Sequence, residues 1–373
     1  MKKLLPILLY LPIIIFGQQT YIPDDNFEQA LINLGYDNVL DNYVITSNIS
    51  NIGYLDVSSQ NISDITGIQD FNSLWYLNCH NNQLMTLDVS NNIFLTGLHC
   101  AMNLLSTIDV SQNIYLEWFP CHDNLLTSLD VSNNLNLHTL TCYNNQLTDI
   151  DLSNNSNLIS LGIFNNLLYS LDLSFQDIQY VDCNNNQITN LTIESDSLKE
   201  LRCANNPVFI FDAFNHPNLE LLEIYNTGIF NIDLSQNVEL WFLSIGSNPN
   251  LWNLDLSNNY NLQLLDVWSN SLSNLDLRNG NNHNISHFVS WNSQYLECIS
   301  VDDSIYSTNN WTNIENWQYF SNNCDATTST QEYTTTKQLL KTTDLLVRET
   351  KKTNQPLLYL YDDGTVEKRL VIE

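Results

Sequence analysis

Residues 74–94 read LWYLNCHNNQLMTLDVSNNIF, and residues 95–115 repeat the same pattern as LTGLHCAMNLLSTIDVSQNIY. Their common form is L-x-x-L-x-C-x-x-N-x-L-x-x-[LI]-D-V-S-x-N, which recurs every 21 residues. A unit this short cannot bury its own apolar face, so consecutive units must stack and share one elongated core. The sequence therefore predicts a solenoid whose function lies on its surface.

The repeat spans residues 55–297, and its fixed slots predict what lies inside. The inward slot holds small hydrophobic residues, and free cysteines there are expected to be buried, reduced and inert. Its members are Cys79, Cys100, Cys121, Cys142, Ile163, Cys183, Cys203, Ile224, Ile245 and Val267. The asparagine slot predicts buried amides that bond to the backbone of neighbouring turns. Its members are Asn82, Asn103, Asn124, Asn145, Asn166, Asn186, Asn206, Thr227, Asn248 and Asn270.

This pattern resembles the leucine-rich-repeat superfamily, most closely the short bacterial, internalin-like repeats. The resemblance implies an α/β leucine-rich-repeat solenoid that is dominated by β-strands, with parallel strands along one side. An N-terminal helical cap and a small C-terminal β-hairpin segment complete the predicted fold class.

Residues 18–54 break the repeat and predict a helical N-terminal cap. Asp25 is expected to accept hydrogen bonds at the helix start while Glu28 reaches back, and Gly35 is expected to end the helix. An apolar stripe would cover the first turn of the solenoid. The stripe comprises Phe27, Ala30, Leu31 and Leu34.

Residues 298–324 are rich in aromatic side chains and predict a C-terminal cap. Cys298 and Cys324 bracket this stretch, and a disulfide between them would fasten the cap to the last turn. The threonine-rich residues 325–338 then predict a linker.

The two ends of the chain indicate export. Residues 1–17 have the charged start and the apolar run of a secretory signal peptide, with a retained anchor as the alternative. No other segment resembles a transmembrane span. In residues 339–373, the Asp363-Gly364 turn between apolar runs predicts a hairpin. This tail resembles a type IX secretion sorting segment, which implies passage through that machinery to the outside or the cell surface; a small hairpin packed on the cap is the alternative.

Each repeat has two outward flanks of different character. In the Leu-Asp-Val-Ser half an aspartate recurs with little change, which favours a solvated acidic ladder, with divalent-cation binding as the alternative. The ladder comprises Asp88, Asp109, Asp130, Asp151, Asp172, Asp212, Asp233, Asp255 and Asp276.

In the Leu-x-Cys half the outward residues change at every turn and include many rings. Rigid aromatic side chains are common anchors of interfaces, so the ligand face is predicted here. The candidate ligand-binding residues are Tyr76, His80, His99, Trp118, His122, Tyr143, Phe164, Tyr180, Arg202, Tyr225, Phe242 and Trp268. The alternative is that the rings pack on one another along the solenoid without any ligand.

Other chemistries receive little support from the sequence. Its formal net charge of −29 argues against nucleic acid or an anionic membrane as partner. His99 lies two positions earlier in its strand than His80 and His122, a displacement of about 6.6 Å that disfavours a shared metal ion. Known catalytic and nucleotide-binding motifs are missing, so neither an enzyme nor a cofactor is predicted.

The sequence therefore predicts a secreted or cell-surface module that binds a protein or glycan. A surface or matrix protein that associates with itself, or a non-catalytic domain of an enzyme system, are the alternatives.

Overall fold

The computed structural model describes residues 17–324, 339–344, 356–361 and 366–370. A parallel sheet of twelve strands runs along one side, with one short strand from each turn. The predicted leucine-rich-repeat solenoid is thereby confirmed. The strands of this main sheet are Tyr54–Asp56, Tyr76–Asn78, Gly97–His99, Trp118–Pro120, Thr139–Thr141, Ser160–Gly162, Tyr180–Asp182, Glu200–Arg202, Leu221–Glu223, Phe242–Ser244, Leu264–Asp266 and His287–Val289.

The opposite half of each turn contains less regular structure. Short parallel strands form there only in some turns, and some turns contain a 3-10 helix. The strands are Ser170–Leu173, Asn190–Ile193, Asn253–Asp255, Asn274–Leu277, Cys298–Val301 and Tyr319–Ser321. The 3-10 helices are Ile68–Asp70, Ala213–Asn215 and Asn282–Asn284.

Neighbouring strands of the main sheet pair residue for residue, as Tyr180 and Asp182 do with Glu200 and Arg202. Side chains alternate between the two faces of a strand, so the first and third residues point outward and the central one points into the core. We call the outward positions the first column and the middle column. The residue two places beyond the third, such as Asn184, belongs to the outer column.

One apolar core runs through the solenoid and into both end regions. The cysteine slot is part of this core, and Cys79, Cys100 and Cys121 have no exposed surface. Burial raises the pKa of the Cys79 thiol to about 12. A thiol held in this state supplies neither a thiolate nucleophile nor a metal ligand at neutral pH.

Buried asparagines tie each turn to the next, as the sequence predicts. The Asn124 amide Nδ2 donates to the carbonyls of Cys100 and Cys121, at 3.1 Å each. Its Oδ1 accepts from the backbone amide of Leu105 at 3.0 Å. A second asparagine ladder, which sequence reasoning overlooked, fastens the opposite half of the turns. Its members include Asn92, Asn113, Asn134, Asn155, Asn237 and Asn259.

A left-handed backbone position directly follows each outer-column residue. Asn144 has a φ of 52° and Asn165 a φ of 53°. Asparagine adopts this conformation more readily than most residues, which accounts for its recurrence here. The exposed amides also bond in sequence along the solenoid, because Asn165 Nδ2 donates to Asn144 Oδ1, and Asn144 Nδ2 donates to Asp123 Oδ1, at 2.7 Å each.

The N-terminal region contains helix α1, Asp25–Asn33, helix α2, Thr46–Ile49, and an antiparallel strand pair, Gln19–Tyr21 with Tyr43–Ile45. The predicted capping box is wrong, because Asp24 rather than Asp25 accepts from the amides of the first turn.

The fully buried Glu28 does not reach back to the helix start; it accepts backbone hydrogen bonds from residues 41–43. Within the predicted stripe, Phe27, Ala30 and Leu31 are buried, whereas Leu34 is 44% exposed. Leu34 follows the last residue of α1 and has turned away from the core, and Gly35 ends the helix with a φ of 81°.

At the C-terminal end, helix α3, Ser304–Asn310, packs near the strand Tyr319–Ser321, and a disulfide joins Cys298 to Cys324. Three further strands form an antiparallel sheet, which adds one strand to the predicted hairpin. They are Leu339–Asp344, Pro356–Tyr361 and Val366–Leu370.

The predicted linker, the Asp363-Gly364 turn and all but the last residue of the predicted signal peptide lie outside the described residues. Within the described ranges, none of the helices has the length and apolar character that a membrane crossing requires.

Candidate ligand-binding face

The aspartate ladder lies on the flank opposite the main sheet and is built into local turns. In Asp109, Asp130 and Asp151, Oδ1 accepts from the backbone amide of the serine two residues later, at 2.8 to 2.9 Å. The serine hydroxyl and amide lower the pKa of each of these carboxyl groups. In these turns the recurring aspartate thus stabilises its own turn as an anion, which gives it a structural role.

The first column of the main sheet begins with stacked aromatic rings. The Tyr54 and Tyr76 rings are parallel within 3° at 5.0 Å, and Tyr76 stacks on Trp118 at 5.9 Å. Tyr76 and Trp118 belong to strands that are separated by the strand of Gly97. A Cβ atom on Gly97 would lie 2.6 Å from the Tyr76 ring, so the missing side chain allows the ring to lie over this position.

The outer column continues the ring stack. His122, Tyr143 and Phe164 stack in order, with centroid distances of 4.1 and 4.2 Å and interplanar angles of 12° and 10°. His122 Nδ1 also lies 2.7 Å from Asp123 Oδ2, which holds the imidazole at this end of the series. The rings of the first and outer columns therefore form one N-terminal ring group on the first six turns.

His99 links the two columns, with its ring 4.7 Å from the His80 ring, 6.2 Å from the His122 ring and 5.2 Å from the Trp118 ring. These separations are similar to or shorter than the predicted displacement of 6.6 Å, because the side chains lean toward one another. Burial, with the nearby His80 and His122, lowers the pKa of His99 to about 4.

Stacked imidazoles present their faces rather than their nitrogen lone pairs to one another. Across the described residues, no group of three or more potential ligands is arranged to hold a metal ion.

A charged centre follows the ring group in the middle column, where Asp182, Arg202 and Glu223 occupy consecutive paired strands. Arg202 donates to Glu200 at 2.8 Å, and its Nε lies 3.8 Å from Glu223. Burial raises the pKa of both Asp182 and Glu223 despite the attraction of Arg202. These carboxylates are therefore held in a setting that disfavours their charge, unlike the aspartates of the ladder.

A second ring group covers the last turns. In the outer column, Trp268 stacks on Trp291 at 5.4 Å and lies 6.1 Å from Tyr225. Trp268 covers Gly246, where an added Cβ atom would lie 2.7 Å from the indole. Phe242 occupies the first column beside Trp241. Both ring groups thus rest on a glycine in a neighbouring turn.

In the last two turns of the N-terminal ring group, the first and middle columns carry short side chains. Thr139, Thr141, Ser160 and Gly162 fill the first and middle columns of two paired strands. A Cβ atom on Gly162 would meet its nearest neighbours only at 3.4 Å or more. Tyr143 and Phe164 border these positions, so short side chains lie beside large rings here.

The structure brings the twelve candidate residues onto one continuous face, and all of them are at least partly exposed. Several other positions that the alternation predicts to be outward are buried, because neighbouring rings or longer side chains cover them. They are Gly97, Ala101, Pro120, Ala204, Leu221, Ser244 and Gly246. The ring stacking proposed as the alternative also occurs, and it leaves ring edges accessible.

Sequence reasoning left several residues out of the candidate face. Tyr54 and Trp291 belong to its two ends, where the repeat is irregular, and the exposed Trp75 precedes the second strand. Asp182 and Glu223 are missed as site residues because an acidic side chain is unremarkable in an acidic repeat. The position of Tyr54 in the first column was the available signal for this ring, since it precedes Leu55 as Tyr76 precedes Leu77.

The fold and this face define a leucine-rich-repeat solenoid in which one regular scaffold presents a varied sheet surface. No protein-family model and no curated protein matches the sequence. Several solved structures are similar in fold. The internalin InlF of Listeria monocytogenes shares 20% identity, with 79% of this chain and 95% of that one covered and a TM-score of 0.62.

The functional domain of InlJ from Listeria monocytogenes, which includes a cysteine ladder, is 24% identical, with 77% and 78% covered and a TM-score of 0.53. The leucine-rich repeat domain of APL1B is 18% identical, with 68% and 79% covered and a TM-score of 0.55. At these identities the comparisons establish the fold, and the ligand must be inferred from the face itself.

Proposed function

We propose that this protein is an exported binding module that recognises a protein ligand through the outward side chains of its main sheet. The observation that carries the proposal is the contrast within each turn, where a repeated flank supports a varied, ring-bearing face. Partly exposed rings on a rigid sheet lose little conformational entropy when a partner covers them. The face therefore has the composition of an interface core.

A protein ligand is favoured over a glycan by the geometry of the rings. A sugar stacks on the free face of an aromatic ring, whereas both faces of Tyr76 and of Tyr143 are covered by neighbouring rings. Ring edges, hydroxyl groups and the charged centre remain for contact. Such a mixture suits the apolar and polar side chains of a polypeptide.

The test is a binding screen of the full chain against arrays of extracellular proteins and glycans. The test variant combines Trp118→Ser, Tyr143→Ser and Phe164→Ser. The control combines Ile114→Ser, Tyr115→Ser and Leu135→Ser, which removes exposed apolar side chains away from the sheet. We expect the test variant to lose at least about tenfold in affinity for protein ligands, and the control to bind as the wild type does.

Thermal unfolding of both variants separates recognition from packing. If the test variant melts at a lower temperature yet keeps its ligand, the rings serve the fold alone and the proposal fails. Binding of glycans, rather than proteins, that is lost in the test variant would show that the ligand is a sugar.

Export is the second part of the proposal and rests on residues 1–17 and 339–373. The former have the build of a signal peptide, and the latter resemble a type IX sorting segment. Deletion of residues 339–373 is expected to leave the protein in the periplasm of its producing cell, measured by fractionation. Undiminished secretion of the shortened chain would contradict a sorting role.

A further inference from the structure

The three columns carry an unbalanced set of charges. Among the column positions between residues 54 and 291 of the described chain, Arg202 is the single lysine or arginine. The carboxylates of the columns are Asp56, Asp182, Glu200, Glu223 and Asp266. Arg202 is already paired with Glu200 and Glu223. The face therefore presents a surplus of negative charge to a partner.

The carboxylates of the centre are poorly compensated by the chain itself. Asp182 Oδ1 accepts one hydrogen bond, from the Asn184 amide at 3.1 Å. Glu223 accepts from Asn184 Nδ2 at 3.1 Å and shares Arg202 with Glu200. The proximity of Asp182 further raises the pKa of Glu223. A positive charge brought by a partner would stabilise both anions, and partial burial would strengthen the attraction.

Aromatic rings lie beside this centre on both sides. Tyr180 belongs to the same strand as Asp182 and is 38% exposed. Tyr225 follows Glu223 in its turn, and Phe164 ends the N-terminal ring group one turn before Asp182. A guanidinium group binds carboxylates through paired hydrogen bonds and stacks on aromatic faces. Rings and carboxylates thus alternate here in the combination that arginine side chains recognise.

On the basis of the proposed function, we propose that the partner is a cationic protein segment whose arginine or lysine side chains lie over the Asp182–Glu223 centre, flanked by the two ring groups. Charge complementarity is the ground for this choice. The aspartate ladder is also acidic, but its anions are already stabilised by their serines, so it contributes long-range attraction rather than a docking site.

The experiment selects short random peptides displayed on phage against the immobilised full chain at about physiological salt, where distant charges are screened. The face variant combines Asp182→Asn, Glu223→Gln and Asp266→Asn. The matched control combines Asp109→Asn, Asp130→Asn and Asp151→Asn on the ladder, with the same change in net charge. Affinities of selected peptides are then measured for the wild type and for both variants.

We expect the selected peptides to be enriched in arginine and lysine, with aromatic or apolar residues between them. Their affinity should fall at least about tenfold in the face variant and less than about twofold in the control. Equal losses in the two variants would overturn the inference, since attraction would then come from overall charge.

The test variant of the preceding section, which combines Trp118→Ser, Tyr143→Ser and Phe164→Ser and is called the ring variant here, distinguishes the two proposals. Neutral or acidic peptides whose binding requires Trp118, Tyr143 and Phe164 would overturn the cationic partner and leave the protein-binding face intact. Selected peptides that bind the ring variant and the face variant as tightly as the wild type would contradict both proposals.

Discussion

The aspartate ladder and the sheet face both carry carboxylates, yet their surroundings differ in kind. The Ser132 hydroxyl and amide lower the pKa of Asp130, whereas burial raises the pKa of Asp182. The ladder is the more conspicuous acidic feature of the sequence, but each of its anions already has local donors. The comparison teaches that a candidate site is located by charges the fold leaves poorly compensated, and the number of charges is a weak guide.

Around Asp182 and His99, the sheet face disfavours charge of either sign. His99 is the cationic counterpart of Asp182, since burial among rings lowers its pKa to about 4. Both shifts favour the neutral form because this side of the solenoid is less hydrated than the ladder. A partner that displaces the remaining water from this face therefore incurs a smaller desolvation penalty than it would incur on the ladder.

The largest expected effect tests the scaffold that this comparison assumes, in which the asparagine slot beside the main sheet ties each turn to the next. Asn124→Leu would leave two carbonyls and the Leu105 amide without their partner. We expect a loss of about 3 kcal/mol or more in the free energy of unfolding, measured by urea denaturation. The exposed Asn133, replaced in the same way, should change stability by less than about 0.5 kcal/mol. Equal effects of both changes would mean that the asparagine slot does not hold the turns together.

A pair of glycines tests whether the rings of the face depend on what lies beneath them. Gly97→Ala would place a Cβ atom 2.6 Å from the Tyr76 ring, whereas the nearest atom to a Cβ on Gly162 is 3.4 Å away. We expect Gly97→Ala to destabilise by about 1–2 kcal/mol and to alter the fluorescence of the adjacent Trp118. Gly162→Ala should stay within about 0.5 kcal/mol of the wild type. If Gly97→Ala is silent in both measurements, the Tyr76–Trp118 stack is not constrained by the glycine.

The role of Gly97 also shows where sequence reasoning stops. The period of the repeat predicts the solenoid, the inward cysteines and the asparagine slot, because each follows from a pattern that recurs many times. Alternation along a strand predicts that Gly97 and Gly246 face outward. It carries no information on whether Tyr76 or Trp268 leans across the neighbouring strand and covers them. Lateral packing between turns is set by rotamers, which a period does not encode.

The candidate site is predictable to a similar extent. Aromatic content and variability predict its twelve residues, and these residues do lie on one face of the main sheet. Asp182 and Glu223 escaped because their difference from the ladder lies in burial, and that depends on the height of their neighbours. The predicted capping residue of the N-terminal helix is wrong for a local reason, since both Asp24 and Asp25 can cap a helix and only the backbone conformation selects Asp24.

A pH titration tests whether the face resists positive charge. His99 has a lowered pKa in the folded chain, so the unfolded chain binds its proton first as the pH falls from about 6.5 towards 4. Stability that is fully present above about pH 6.5 should therefore be lost across this interval. After allowance for solvent screening, we expect the wild type to lose about 1 kcal/mol of stability relative to His99→Gln over this interval. Thermal melting of both proteins across the pH range measures this difference. Parallel pH profiles of the two proteins would show that His99 titrates freely.

The smallest effect has the most direct bearing on the comparison, because the same substitution should lower stability on the ladder but not on the sheet face. Asp130→Asn removes an anion that the folded state stabilises, so it should lower the melting temperature at pH 7, and this deficit should shrink as the pH falls below about 3.8. Asp182→Asn removes an anion that the folded state disfavours.

The pKa of Asp182 is raised in the folded wild type, so the ionised side chain destabilises the fold as the pH rises through that value. In the Asp182→Asn variant, the side-chain oxygen of the new asparagine still accepts from the Asn184 amide. We therefore expect a melting temperature at pH 7 that is unchanged or slightly higher, with a gain in stability of less than about 1 kcal/mol. Equal losses in the two variants would show that the face and the ladder hold their carboxylates alike, and the distinction that locates the candidate ligand site would disappear.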